Sequence, residues 1–299
     1  MPTSGLFCTS YVGWPGTFYT LGSATLLFTL LWILFYKNNP AKHFFISDSE
    51  LETIKIGKSD SKKRSSQVVP YKEIVTSKAV WAIMIATFGN MMGIQTVIFY
   101  MPTYLKEVLD FNLMSSGFLA ALPFFIQFLV KFSSGLGSDK LPGTQTNKLR
   151  IFNTIALWGM ALFIAPVAFI PRQYPKVALA FLILGPAILG FHAGGFFKNC
   201  TLLARQFSPI VMGGVQFVTC FAQFIVPFIK AAIVPDDKHQ DSWKYLFLLM
   251  CALLVITNVV YCIFCSGDAA PWTVPKSTEG GSSTHDAYVP MKHKTPLNN

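Results

Sequence analysis

Apolar positions along this chain come in long unbroken blocks. Seven such blocks run over 16–36, 80–101, 116–137, 151–170, 177–197, 210–231 and 244–265. A bilayer core of roughly 30 Å is crossed by about 20 apolar residues in helix. Lipid cannot satisfy exposed backbone polar groups, so helices are the expected form. A membrane barrel would need alternating strands of about 10 residues, and runs such as Leu26 to Phe35 do not alternate. The pattern predicts an all-α membrane protein with about seven transmembrane helices. Charges inside the blocks are few: Lys131 lies within the third, while Lys230 and Lys244 sit at span ends and can snorkel.

Composition agrees with this pattern. Of 299 residues, 52% are apolar and 13% charged, against roughly a quarter charged in an ordinary soluble domain. Disorder is excluded and a water-soluble globule disfavoured. The net charge of +10 would suggest nucleic acid in a soluble protein. Its distribution argues otherwise. Nine Lys/Arg fall in 37–79, among them Lys62, Lys63 and Arg64, and the alternate connections together hold 18 against 6 on the opposite side. The positive-inside rule therefore predicts the N-terminus outside or lumenal and the tail cytoplasmic, with no nucleic-acid partner. Residues 1–36 do not read as a signal peptide, because the first lysine, Lys37, follows the apolar run.

The connections divide the chain into an outside N-terminus with a first helix (1–36), a basic cytoplasmic linker (37–79), a six-span unit (80–265) and a polar tail (266–299), expected to be disordered. Within the linker, Ser47 and Glu50 have capping-box spacing for a short helix. Cys262 and Cys265 have CxxC spacing but lack a second pair, so packing is favoured over zinc. The sequon at Asn199 falls on the cytoplasmic side and should stay bare. Nothing resembles a nucleophile with its base, a metal cluster or a phosphate loop. The expectation is no enzyme, no metal and no cofactor.

Short motifs in order carry a resemblance. Gly13-Trp14-Pro15-Gly16-Thr17-Phe18-Tyr19, Pro40-Ala41-Lys42-His43, Val69-Pro70-Tyr71, Phe88-Gly89-Asn90, Pro102-Thr103-Tyr104-Leu105, Ala120-Ala121-Leu122-Pro123, Ser134-Gly135 with Asp139, and Ser266-Gly267-Asp268 with Pro271-Trp272 all match. This set resembles the anion:cation symporters of solute-carrier family 17, within the major facilitator superfamily: sialin, vesicular glutamate transporters and sodium–phosphate cotransporters. The resemblance implies one leading helix, equivalent to span six, followed by a six-helix half-bundle. On that plan five spans are expected to be missing. The chain then reads as part of a longer protein, a short form, or a half that pairs with a second chain.

The resemblance implies a small anionic substrate and a coupling ion, proton or sodium, and it leaves the membrane open between plasma, vesicular and lysosomal. Where many members have a His and an Asp after span ten, this chain has Asn199 to Phe207 without either. Glutamate-transporting members place an arginine where Asn90 stands. The candidate substrate-binding residues are Asn90, Gln95, Gln127, Lys131, His192, Asn199, Gln216 and Gln223, since polar groups in lipid need a partner or a purpose. Each also has a plain reading: helix–helix hydrogen bonding for Asn90 and Gln95, snorkelling or a carboxylate partner for Lys131, a satisfied buried ring for His192. Gln216, Thr219 and Gln223 form a stripe at 3–4 spacing, suited equally to a wet cavity or an interhelical seam. Gly190 and Gly194 give a close-approach face. Gly135, Asp139 and Lys140 resemble a degenerate superfamily loop motif with a gating role. Two functions follow as expectations: ion-coupled anion transport, incompetent without the other half, or a non-transporting partner of full-length relatives.

Overall fold

The computed structural model describes residues 11–37, 69–111, 119–140 and 142–273, with Phe7 and Ser47. The described residues fold into α1 (Pro15–Phe35), α2 (Tyr71–Thr76), α3 (Lys78–Glu107), α4 (Leu122–Lys140), α5 (Gln145–Val167), α6 (Pro175–Ile188), α7 (Phe196–Ala204), α8 (Ser208–Ile233) and α9 (Gln240–Phe264). A 3-10 segment, Leu189–Gly194, joins α6 to α7. Proline stands at the start of α1, α6 and α8, where its missing N–H costs nothing and its fixed φ favours the first turn. Thr144 caps α5 by accepting from the Asn147 amide at 3.4 Å.

Among the described residues, five helical stretches are long and apolar enough to cross a membrane: Pro15–Phe35, Lys78–Glu107, Gln145–Val167, Pro175–Ile233 and Gln240–Phe264. The fourth, 59 residues, would measure about 90 Å as one straight helix. It instead folds into two passes, because Arg205 takes a positive φ of 43° at the end of α7. α4 falls outside the five; its second half, from Lys131 through three serines to Asp139, dilutes the apolar run. All seven predicted spans thus have a helical counterpart, with α6 and α7 sharing one.

Neighbouring spans run antiparallel. Along α5 and α9, Arg150 meets Cys265, Asn153 meets Asn258, and Ala161 meets Cys251. Along α5 and α6, Ile188 packs at Gly159 and Ile164 at Gly185. α3 lies at the centre, between α8 and α9, with Ile83, Met92 and Leu105 fully buried. One apolar cluster occupies the middle and one end of the bundle, around Tyr104, Leu157, Met160 and Trp243. A second lies at the other end, around Ile83, Phe196 and Tyr261. By contrast α1 exposes its apolar side chains, from Leu26 to Phe35, almost throughout.

Two expectations need correction. Gly135 to Lys140 is not a loop but the last part of α4. Residues 266–273 are folded rather than disordered: Pro271–Thr273 forms a 3-10 turn and Ala270 and Thr273 are buried. Hydrogen bonds from the Gly267 amide to Thr146 and from the Ala270 amide to the Leu203 carbonyl account for that order. α3 starts at Lys78, preceded by α2, so the linker's last residues are helical. The Ser47–Glu50 cap and residues 274–299 lie outside the described residues.

Candidate functional site

The eight candidate residues do not converge on one pocket. Asn90 (1% exposed), Gln95, Gln127, His192 and Asn199 are buried within the bundle. Lys131, Gln216 and Gln223 are exposed.

The buried set has mixed satisfaction. Asn199 donates from Nδ2 to the Tyr261 hydroxyl at 3.1 Å and to Cys265 Sγ at 3.4 Å. His192 bonds through Nδ1 to the Leu189 carbonyl and stacks on Phe196, ring centroids 5.5 Å apart. Its setting is that of a satisfied core histidine. Asn90 Nδ2 has no hydrogen-bond partner within the described bundle, nor do Asn153 Oδ1, Asn199 Oδ1 and Arg150 Nε. Unpaired buried polar atoms are costly.

Gly190 lies against α4: a Cβ there would come within 2.8 Å of the Gln127 carbonyl and of Val130. The Ser134 hydroxyl donates to the Phe191 carbonyl at 3.3 Å, and Lys198 Nζ donates to Ser138 Oγ at 3.1 Å. α6, the 3-10 segment and α7 together (Pro175 to Ala204) form span ten, counting the leading helix as span six, and its small residues therefore serve packing within this bundle. The same seam sets the Gln127 backbone and Val130 directly against Gly190. Lys131 has no ion pair among the described residues, whose ion pairs lie at the ends of the helices.

The exposed set lies on two flanking helices. α4 packs on span ten, α8 packs on α3, α7 and α9, and α3 and span ten lie between them. On α8 the exposed side chains Gln216, Cys220 and Gln223 follow one another at 3–4 spacing, with Thr219 half-buried beside them and Gln216 Nε2 donating to Cys220 Sγ at 3.6 Å. Val211, Val215, Ala222 and Val226 hold the opposite face against the bundle. The stripe is thus not a seam within this bundle. Exposed amides on a membrane helix are unfavourable against lipid, so this face suits water or another protein surface.

At the opposite end of α8 from its start, Lys230 pairs with Asp237 and lies 5.7 Å from the Tyr100 ring and 5.8 Å from Trp243. The Trp243 indole donates to the Asp237 carbonyl at 2.8 Å. A cavity of about 10 Å³ lies beside this cluster, lined by Thr96, Tyr100, Tyr104 and Trp243 among others. That is room for a water molecule at most.

Sequence reasoning missed one polar cluster. Asn153 donates to Asn258 Oδ1 at 2.9 Å, and Asn258 donates to Thr154 Oγ1 at 3.0 Å. Its signal was present as polar residues inside the fourth and seventh apolar blocks. Among the described residues no three His, Cys, Asp or Glu side chains are placed to hold a metal ion.

Long apolar helices around a central α3, with a polar stripe left open on one side, define a multi-pass helical membrane protein. Residues 1–227 match the family model of the Major Facilitator Superfamily, and the chain belongs to that family. It is 30% identical to human sialin over 278 residues, covering 92% of this chain and 55% of sialin. It is 32% identical over 300 residues to the probable vesicular glutamate transporter eat-4 of Caenorhabditis elegans, covering 98% of this chain and 50% of that protein. Against vesicular glutamate transporter 2 of Bos taurus the identity is 29%, over 93% of this chain and 48% of that protein. The chain spans about half the length of these curated relatives.

Proposed function

We propose that these residues form one half of a transporter that carries a small organic or inorganic anion by alternating access, coupled to an ion. The observation that carries this reading is the exposed stripe Gln216–Cys220–Gln223 on an otherwise apolar helix, with Lys131 exposed on the other flank. Transporters of this superfamily bind substrate near the bilayer midplane between two halves. The stripe supplies amide donors and acceptors for such a site. Lys131 supplies the positive charge an anion requires. The relatives named for sialin and glutamate transport support an anion as cargo. The charge asymmetry supports a cytoplasmic location for the end bearing Lys78, Arg150 and Arg205. Gly135, Asp139 and Lys140 at that end of α4 are read as part of the gating contact between halves.

One half offers one wall of a site. Proteoliposomes holding this chain alone are expected to take up no glutamate, sialic acid or inorganic phosphate above protein-free vesicles. Vesicles that also hold the half corresponding to the rest of the relatives' length, fused or co-reconstituted, are expected to take up at least one of the three. Uptake by the chain alone would overturn the half-transporter reading. The open face also suits a second role, docking on a full-length relative without transporting. Co-purification with such a relative, and no uptake in either kind of vesicle, would favour that role.

A further inference from the structure

The motif Ser266-Gly267-Asp268 with Pro271-Trp272 has a structural position that transport as proposed above does not use. After α9 the chain turns back across the end of the bundle. Arg150 Nη2 donates to the Cys265 carbonyl at 3.4 Å. The Gly267 amide donates to Thr146 Oγ1 at 2.9 Å. The Ala270 amide donates to the Leu203 carbonyl at 3.0 Å, and Gln206 Nε2 donates to the Thr273 carbonyl at 2.6 Å. Trp272 packs on Phe207, ring centroids 6.0 Å apart. One segment therefore bonds to the start of α5 and to both sides of the turn between span ten and α8. Gly267 is held so closely that a Cβ would lie 2.6 Å from the Thr146 amide nitrogen and 2.8 Å from the Gln145 carbonyl carbon. Those are backbone atoms and cannot swing aside.

The two parts of span ten are held differently. α7 is tied by directional polar bonds: Asn199 to Tyr261 and Cys265, Leu203 to Ala270, Lys198 to Ser138. α6 meets its neighbours through apolar contacts among the described residues, such as Ile188 at Gly159, Ile164 at Gly185 and Phe163 beside Phe181. Apolar packing tolerates sliding, whereas a buried hydrogen bond must be broken to move. Between them lies the 3-10 segment Leu189–Gly194, followed by Gly195 at φ −95°, ψ −121°. A mid-helix 3-10 stretch is a natural place to bend.

The geometry points to residues 265–273 as a strap that fixes α7 to α5 and α9, so that span ten bends at Leu189–Gly195 and α6 moves while α7 does not. Cys265 begins the strap, is 4% exposed and accepts a hydrogen bond from Asn199 Nδ2 on α7 at 3.4 Å, so its thiol reports whether the strap is seated. The inference concerns motion within this chain and stands whether or not the chain transports.

The test is hydrogen exchange by mass spectrometry on the full chain in detergent, with thiol labelling by a water-soluble maleimide. In the parent protein, amides of 196–204 should exchange more slowly than those of 178–188, and Cys265 should stay unlabelled. Gly267→Val should lift the strap, speeding exchange in 196–204 about tenfold and opening Cys265 to label. Cys251, buried far from the strap, should stay protected. Trp272→Ala removes a half-exposed ring and should act in the same direction, and it decides the matter if Gly267→Val does not fold. Exchange in 196–204 as fast as in 178–188 in the parent would overturn the strap. So would unchanged exchange in a variant whose Cys265 has become reactive, or a Cys265 that stays unreactive in every folded variant.

Discussion

Gly89→Leu is expected to prevent the helices from closing around α3. Gly89 faces Thr257 on α9 so tightly that even a Cβ would lie 2.8 Å from Thr257 Cβ and 2.9 Å from Cγ2. Thr257 cannot easily yield, because its hydroxyl donates to the Leu253 carbonyl at 2.7 Å. One turn along, a Cβ on Gly93 would meet Met160 Sδ at 3.2 Å and Leu254 at 3.3 Å. The α3–α9 crossing is thus a small-residue contact of the kind that lets membrane helices approach. Overpacking a fitted core costs about 1–3 kcal/mol and occasionally more, and a leucine here adds four carbons where not one fits. The expected readout is loss of a monodisperse detergent peak, or a melting temperature lower by roughly 10 °C. Gly22→Leu on α1, where a Cβ meets nothing within 4 Å, should leave both unchanged. A Gly89→Leu protein that melts like its parent would refute the close crossing.

The second large effect concerns the open face. Lys131→Gln, or Gln216→Leu together with Gln223→Leu, is expected to lower anion uptake by the two-half transporter roughly 10- to 100-fold. All three side chains are exposed, so the melting temperature should hold. Lys131→Arg should retain most of the uptake, since it keeps the charge. Full uptake by Lys131→Gln would remove Lys131 from the site. A lowered melting temperature with proportionate loss of uptake would assign these residues to structure instead.

Much of the fold was legible because each apolar block has the length a bilayer demands. Composition alone could not place the folding-back at Arg205, which depends on a local backbone conformation, nor the 3-10 break at Leu189. α4 marks a limit of the hydropathy signal: Lys131, Ser133, Ser134 and Ser138 lower its apolar content, yet it packs along span ten through Ser134 and the Gln127 backbone. The strap was hidden because Ser266 to Thr273 is polar and short, and its order comes from distant partners at Thr146, Leu203 and Gln206. The site was legible only as a set of polar residues in apolar surroundings. Sequence spacing put Gln216 and Gln223 on one side of α8, and the structure leaves that side open. It could not separate these from Asn199 or His192, whose side chains are buried inside the bundle.

The central claim is that the α8 stripe faces water within a transport path. Cys220 lies in that stripe and is exposed. Its labelling can be followed by mass spectrometry in membrane vesicles holding the two-half transporter, using a membrane-impermeant, water-soluble methanethiosulfonate. The predicted result is modification of Cys220, slowed by a saturating concentration of whichever anion is transported, while buried Cys251 stays unmodified. Modification of Cys220 only by a lipid-soluble maleimide would place the stripe against lipid and contradict the account.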